Sequence, residues 1–134
     1  MSSGRAVAPA ILCAGIIALD EMFQVDHFPP SDGKTQAQRF FVANGGCAAN
    51  AAVAVARLGG RAALAGPVGG PPGEDLNGDR VLAGLAREQV DCTGCQRLAG
   101  VPTALSAIFI DARGDRMIVT YCDCLLYTSD AADE

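Results

Sequence analysis

The stretch that decides the fold runs from residue 45 to residue 59 and reads Gly-Gly-Cys-Ala-Ala-Asn-Ala-Ala-Val-Ala-Val-Ala-Arg-Leu-Gly. Alanine is the strongest helix former and glycine commonly follows a helix end, so this stretch predicts a helix that stops at Gly59. The two glycines that open the helix allow a ligand to approach the backbone closely. The free N–H groups of the first turn and the amide of Asn50 can bind hydroxyl or anionic oxygens. From these residues alone, a binding site and a plain glycine turn are equally good interpretations.

On either side of this stretch, strand and helix patterns alternate along the chain. The predicted strands are 10–18, 21–28, 35–42, 62–68, 103–111 and 116–121, and the predicted helices are 44–58 and 74–89. The first strand reads as fully buried, and the last two read as a hairpin joined across residues 112–115. This order indicates an α/β protein that carries a separate small β element.

The composition excludes several classes of protein. Of the 134 residues, half are apolar, which is enough to form a core, and the net charge of −5 argues against a nucleic-acid partner. No run reaches the roughly 20 apolar residues of a membrane helix. The longest run, residues 7–19, predicts a buried strand better than a signal peptide, because no small-x-small cleavage site precedes Asp20. We therefore expect a cytoplasmic protein without a membrane segment.

Six cysteines raise the question of a metal or redox site. Cys92 and Cys95 have C-x-x-C spacing, but the other close pair, Cys122 and Cys124, has C-x-C spacing, and the one histidine is distant in sequence. We therefore predict no metal site and expect reduced, mostly buried thiols. Residues 32–35, Asp-Gly-Lys-Thr, lack the earlier glycine and the following helix of a phosphate-binding P-loop.

The 45–59 stretch resembles the first signature of the ribokinase-like (PfkB) carbohydrate kinases. Other parts of the chain agree with the family in order and spacing, and the resemblance covers roughly residues 10–123. These parts are the strand end 15–20, Phe28-Pro29, residues 66–69, the G-x-D-x-x-G-like stretch 73–78, the helix exit 86–91 with Gln89 in place of the usual glycine, and the hairpin with Asp111, Gly114 and Arg116.

The resemblance implies phosphoryl transfer from ATP, with Mg²⁺, to a hydroxyl of a sugar. It implies a ribokinase-like α/β fold, of which this chain holds the N-terminal part: part of a central sheet flanked by helices, and a small β-sheet lid built from strands within 21–42 and 103–121. The lid would close over the sugar and exclude water. In this family the lid often pairs two subunits, so the resemblance also implies a homodimer.

The same resemblance implies which residues bind the substrate. Asp20 would accept hydrogen bonds from sugar hydroxyls, because ionised acceptors bind hydroxyl donors strongly. Gly45, Gly46 and Asn50 would line the same site, with Ser106 as a further sugar-binding residue. Lys34 looks most like a residue of the sulfofructose kinase branch, where it would contact the anionic end of the substrate. A solvated lysine, and a fructokinase or ribokinase specificity, stay open beside this reading.

The catalytic aspartate and the ATP site have no counterpart in this sequence. The family places both in a C-terminal Gly-Ala-Gly-Asp segment, which the 134 residues do not contain. The last eleven residues, 124–134, resemble no part of the family and match the translation of a transposase-based sequencing adapter. We therefore expect residues 1–123 to be the N-terminal part of a truncated kinase domain, inactive alone, followed by a non-native tail. The alternative is a non-catalytic sugar-binding or dimerising lid module.

Overall fold

A computed structural model describes residues 10–126, and the rest of the predicted tail, 127–134, lies outside the described residues. The elements along this part of the chain are β1 (Ala10–Ala14), β2 (Ala18–Gln24), β3 (Arg39–Gly45), α1 (Cys47–Arg57), β4 (Arg61–Gly69), α2 (Leu76–Arg87), β5 (Asp91–Leu98), β6 (Ala104–Ile110), β7 (Arg116–Tyr121) and a single 3₁₀ turn (Cys124–Leu126). None of the described helices is long and apolar enough to cross a membrane.

A parallel three-stranded sheet in the order β1-β4-β5 forms the base of the fold. Helix α1 packs mainly against β4 and β1, and α2 packs against β2 and β3 as well as against β5 and β4. Small alanines on α1 let the helix approach the sheet, and larger side chains from β4 and α2 fill the space between them. The fully buried members of this core with the largest side chains are Ile17, Leu19, Leu64, Val68, Val81 and Leu85.

A four-stranded sheet in the order β3-β2-β6-β7, which we call the lid sheet, corresponds to the predicted small β element. Its two inner strands, β2 and β6, run parallel, and its outer strands are antiparallel to them. The predicted hairpin of β6 and β7 is confirmed. Its turn is held by the Asp111 side chain, which accepts hydrogen bonds from the N–H groups of Arg113 (2.9 Å) and Asp115 (3.0 Å).

The prediction that residues 35–42 form a strand is wrong at its start, because β3 begins at Arg39. The preceding residues belong to a loop, 25–38, that joins β2 to β3. Gln38 closes this loop, with its N–H donating to the carbonyl of Gln24 (2.7 Å) and its side-chain amide donating to Asp26 (2.5 Å). The alternation of side-chain types at residues 35–38 therefore belongs to a loop and not to a strand.

The base sheet differs from the sequence-based prediction in two further ways. Strand β5 was not predicted, since residues 91–98 are mostly polar or small; pairing with β4 makes them a strand. The buried first strand is in fact an exposed one that ends at Ala14, with Leu12 66% exposed. Within the described residues β1 pairs with β4 alone, and no element covers the face that carries Leu12.

Candidate functional site

Asp20 lies on β2, and its carboxyl group rests over Gly45 on the neighbouring strand. Strand pairing places Gly45 opposite Ala18, so it is the diagonal neighbour of Asp20 on the same face of the lid sheet. A Cβ atom added to Gly45 would overlap the Asp20 carboxyl atoms. The glycine therefore leaves the space that the carboxyl group occupies.

A row of polar side chains crosses the lid sheet from Asp20. Ser106 on β6 pairs with Asp20, and Thr120 on β7 pairs with Ser106, so the three side chains point from one face. The Thr120 hydroxyl donates a hydrogen bond to the Ser106 hydroxyl over 3.2 Å. Ser106 is buried, whereas Asp20 is half-buried and Thr120 is exposed. We call Asp20, Ser106 and Thr120 the polar row.

Thr120 is a member of the row that the sequence analysis missed. Counting outward in both directions from a turn at residues 112–115 would place Ser106 opposite Tyr121, whereas the five-residue turn of the structure, 111–115, places it opposite Thr120. The residue pattern of the strand, Arg-Met-Ile-Val-Thr-Tyr, therefore does not identify Thr120 without the register that the structure supplies.

Gly46 is the N-cap of α1 and lies beside Gly45 at one end of the lid sheet. Its φ of +93° favours glycine, and a Cβ atom there would overlap the carbonyl of Ile16. Because glycine has no side chain to cap the helix, no side-chain hydrogen bond satisfies the first N–H groups of α1. These N–H groups are donors for a polar ligand.

The other two predicted sugar-binding residues are not gathered with Asp20. Asn50 is exposed on α1 and lines a shallow depression with Asn44, Arg57 and Glu88, along the outer side of β3. Lys34 is exposed in loop 25–38, which leaves β2 at the end opposite Gly45. Lys34 forms no ion pair with any residue from 10 to 126.

The carboxylate of Asp75, in the G-x-D-x-x-G-like stretch, is engaged in hydrogen bonds within the fold. As the N-cap of α2, its carboxylate accepts hydrogen bonds from the N–H groups of Gly78 (3.0 Å) and Thr103 (3.1 Å) and from the Thr103 hydroxyl. The Gly69 N–H donates to that hydroxyl over 2.7 Å. Asp75 therefore joins the start of α2 to the segments that end β4 and begin β6.

The C-x-x-C pair lies on β5, with both thiols half-buried and facing the core. Burial raises the pKa of Cys92, and burial together with the neighbouring Cys92 thiol raises the pKa of Cys95 to about 12. No group of three or more His, Cys, Asp or Glu side chains that could hold a metal ion occurs among residues 10–126. The raised pKa values favour the protonated form of both thiols at neutral pH, whereas Cys47 is exposed.

We predict that a thiol reagent at pH 8 modifies Cys47 readily and spares Cys95. A pKa near 12 instead of 9 lowers the thiolate fraction of Cys95 about a thousandfold. Folding stability should also fall as the pH rises from 9 towards 12, because the unfolded thiol ionises first and the folded one stays protonated. Mass spectrometry of peptides after brief iodoacetamide treatment measures the modification. Equal labelling of Cys47 and Cys95 in the folded protein would contradict the prediction.

The chain matches the family model described as pfkB family carbohydrate kinase over residues 9–130. Among curated relatives, it is 38% identical to fructokinase-1 of rice, Oryza sativa subsp. japonica, and 36% identical to fructokinase-1 of Zea mays, in each case over 109 residues and 79% of this chain. It spans about a third of the length of these relatives, 32% of each.

Solved structures match the described fold as well. One is a crystal structure of a protein from Agrobacterium tumefaciens whose description proposes a ribokinase, with a TM-score of 0.84 and 38% identity, over 91% of this chain and 39% of that one. Another is the fructokinase of Xylella fastidiosa with bound ATP, with a TM-score of 0.64 and 32% identity, over 87% of this chain and 34% of that one.

Proposed function

Because this chain belongs to the pfkB family of carbohydrate kinases, we propose that the whole protein transfers a phosphoryl group from ATP to a sugar hydroxyl, with residues 10–126 on the sugar side of the reaction. The observation that carries this assignment is the carboxyl group of Asp20 lying over Gly45, in one row with Ser106. The family match does not favour the alternative of a non-catalytic lid module.

In this proposal the polar row binds the hydroxyl groups of the sugar. The Asp20 carboxylate accepts hydrogen bonds from two hydroxyls, and the hydroxyls of Ser106 and Thr120 can donate or accept along the same face. Gly45 and Gly46 have no side chains, so a sugar ring can approach the first turn of α1. Closure of the lid sheet over the ring would remove water, which strengthens these hydrogen bonds and disfavours hydrolysis of ATP.

The described residues do not fit ATP or Mg²⁺. They contain no glycine loop with P-loop spacing ahead of a helix, and no cluster of acidic side chains suited to a metal ion occurs between residues 10 and 126. Asp75 is engaged in capping α2 and binding Thr103, so we do not propose it as the base that accepts the proton of the sugar hydroxyl. We therefore assign no base, ATP contact or metal ligand to these residues.

We propose a ketohexose or an anionic derivative of one as the substrate. The fructokinase relatives support a ketohexose, and the exposed Lys34, the one lysine of the chain, is the basis for an anionic group as in sulfofructose. Ribose is the competing substrate, because the description of the Agrobacterium tumefaciens neighbour proposes a ribokinase.

The test is an assay of the whole protein, expressed from the recovered gene, with ATP and a panel of fructose, sulfofructose and ribose. We expect Lys34→Met to raise the KM for sulfofructose about tenfold and leave the KM for fructose unchanged, because it removes one charge-assisted contact. Arg61→Gln, which removes a charge at the start of β4, is the matched control. Phosphorylation of none of the three sugars would refute the proposed function, and equal effects of Lys34→Met on fructose and sulfofructose would refute the role of Lys34.

We also propose that the whole protein forms a homodimer through the lid sheet. The face opposite the polar row carries an aromatic cluster in which Phe23 lies 5.0 Å from Phe40 and 5.4 Å from Phe109, measured between ring centroids. On that face Val119 is 62% exposed and Tyr121 is 58% exposed. An apolar surface of this kind is typical of a contact between subunits.

A cytoplasmic location remains a prediction from the sequence.

We propose that residues 1–123 belong to the kinase domain and that residues 124–134 are a non-native tail. Two observations bear on this boundary: the family match reaches residue 130, and Leu126 packs against Ala18, Val101 and Ala104. An apolar side chain can fill such a site whatever its origin. Sequencing the adjoining genomic DNA tests the boundary directly, since a native reading frame that continues through Leu126 with the same residues would refute it.

A further inference from the structure

The joint between the base sheet and the lid sheet contains one cluster of hydrogen-bonded residues, formed by Gly69, Asp75, Gly78 and Thr103, which we call the hinge cluster. We propose that Asp75 and Thr103 are positioning residues: they hold the start of β6 so that Ser106 stands in place beside Asp20. This inference rests on the proposed sugar kinase function for its catalytic consequence, although its structural part can be tested without it.

The described chain crosses between the two sheets three times. The first crossing is at residues 15–17, the second at Gly46 and the third at residues 99–103. At the first two, no side-chain hydrogen bond is formed by the described residues, and glycines with positive φ (147° at Gly15 and 93° at Gly46) make the turn. The third crossing alone is held by side chains. It is therefore the crossing at which side-chain hydrogen bonds join the lid sheet to the base, in addition to the apolar packing of α2 on β2 and β3.

The geometry of the hinge cluster leaves little freedom at this third crossing. Thr103 is 1% exposed, and its N–H and hydroxyl both donate to the Asp75 carboxylate while its hydroxyl oxygen accepts from Gly69. A Cβ atom on Gly69 would lie only 2.5 Å from the Thr103 nitrogen, and one on Gly78 would lie 2.8 Å from the Thr103 hydroxyl oxygen. The backbones of Gly69 and Gly78 thus lie directly against Thr103, with no room for a side chain between them.

The hinge cluster is connected to the polar row through β6. Thr103 immediately precedes β6, whose first residue, Ala104, pairs with Ala18, and two residues later Ser106 pairs with Asp20. Three residues of strand span about 10 Å. A shift of Thr103 would therefore be passed along a short, paired strand to the Ser106 hydroxyl and its partner Thr120.

Thr103→Val tests this proposal, because valine keeps the shape of threonine and removes the hydroxyl, while Asp75 can still cap α2. In the whole protein we expect the KM for the sugar to rise about five- to tenfold and the KM for ATP to stay unchanged. Thr103→Ser should restore the wild-type value. Thr93→Val, at an exposed position on β5, is the matched control. Equal changes in both KM values, or none in either, would overturn the proposal.

Hydrogen exchange measured by mass spectrometry gives a readout that does not depend on activity. Thr103→Val should speed the exchange of the amides in β6 and β7 and of Gly69, whose N–H loses its acceptor, and leave the other amides of β4 unchanged. Asp75→Asn, which keeps one oxygen for the donors of Gly78 and Thr103 but removes the charge that strengthens their hydrogen bonds, should give a smaller effect in the same direction if the valine variant folds too poorly to study. Uniform acceleration across both sheets would mean a general loss of stability and would count against a positioning role. If the whole protein phosphorylates no sugar, the proposed function fails, while the exchange result still decides whether the hinge cluster holds the lid sheet.

Discussion

Replacing Asp20 by asparagine is expected to lower kcat/KM for the sugar by about 10- to 150-fold in the whole protein. Hydrogen bonds to a charged group contribute about 1.5–3 kcal/mol, and each 1.36 kcal/mol corresponds to a factor of ten. The asparagine side chain has nearly the same shape, so the position over Gly45 is kept while the charge is lost. Steady-state kinetics with the preferred sugar, together with calorimetric binding of that sugar, measure the effect.

Glu21→Gln is the matched control for this experiment. Glu21 is the next residue on β2 and pairs with Val42 and Ala107, so its carboxyl group leaves the opposite face of the lid sheet. We expect its kcat/KM to stay within about twofold of the wild-type value, because its carboxyl group does not face the polar row. If the two variants lose the same activity, then net charge on the lid sheet matters rather than the polar row, and the assignment of Asp20 is wrong.

Replacing Gly46 by alanine is expected to destabilise the fold by about 2–5 kcal/mol. A positive φ costs an alanine about 1–2 kcal/mol, and forcing an atom into a packed space costs a further 1–3 kcal/mol. Both costs apply at Gly46, where φ is +93° and the new Cβ atom would overlap the carbonyl of Ile16. Ile16 is part of a crossing between the sheets, so the overlap cannot be relieved by a side-chain rotation. The free energy of unfolding in urea measures the loss.

Gly59→Ala separates the two costs. Gly59 follows α1 with a φ of +86°, close to that of Gly46, but no heavy atom lies within 4 Å of the position that its Cβ atom would occupy. Only the conformational cost of about 1–2 kcal/mol should therefore apply. Equal losses in the two variants would show that backbone conformation alone explains the glycine at position 46 and that its close approach to Ile16 has no energetic weight.

The ribokinase-like α/β fold predicted from the chain is confirmed by the structural matches, and the most accurate predictions rest on local signals. Helix α1 begins and ends within three residues of the predicted bounds, because its alanines and flanking glycines act within a single turn. The hairpin of β6 and β7 was equally readable, since its strands are joined by a short, five-residue turn. Strand β5 was missed because pairing with β4, and not its own residues, makes it a strand.

The candidate site shows the same division. Asp20, Gly45 and Ser106 were named through the family resemblance, whereas Thr120 depends on the five-residue turn, 111–115, that sets the register of the hairpin. The separation of Lys34 from Asp20 could not be predicted, because it depends on the path of a fourteen-residue loop. The structure likewise places Asn50 along the outer side of β3, since the direction of a side chain on α1 depends on how the helix packs.

By itself, the sequence determined the family, the alternating order of most elements, and the glycine pair that begins α1. Only the tertiary structure decided that Asp75 binds Thr103 and that Asp20, Ser106 and Thr120 lie in one row. Thr103 lies 28 residues from Asp75 and Ser106 lies 14 residues from Thr120, so neither contact leaves a trace in local periodicity. The physical reason is that helix and turn preferences act over a few neighbouring residues, whereas hydrogen bonds between elements form only after the sheets have paired.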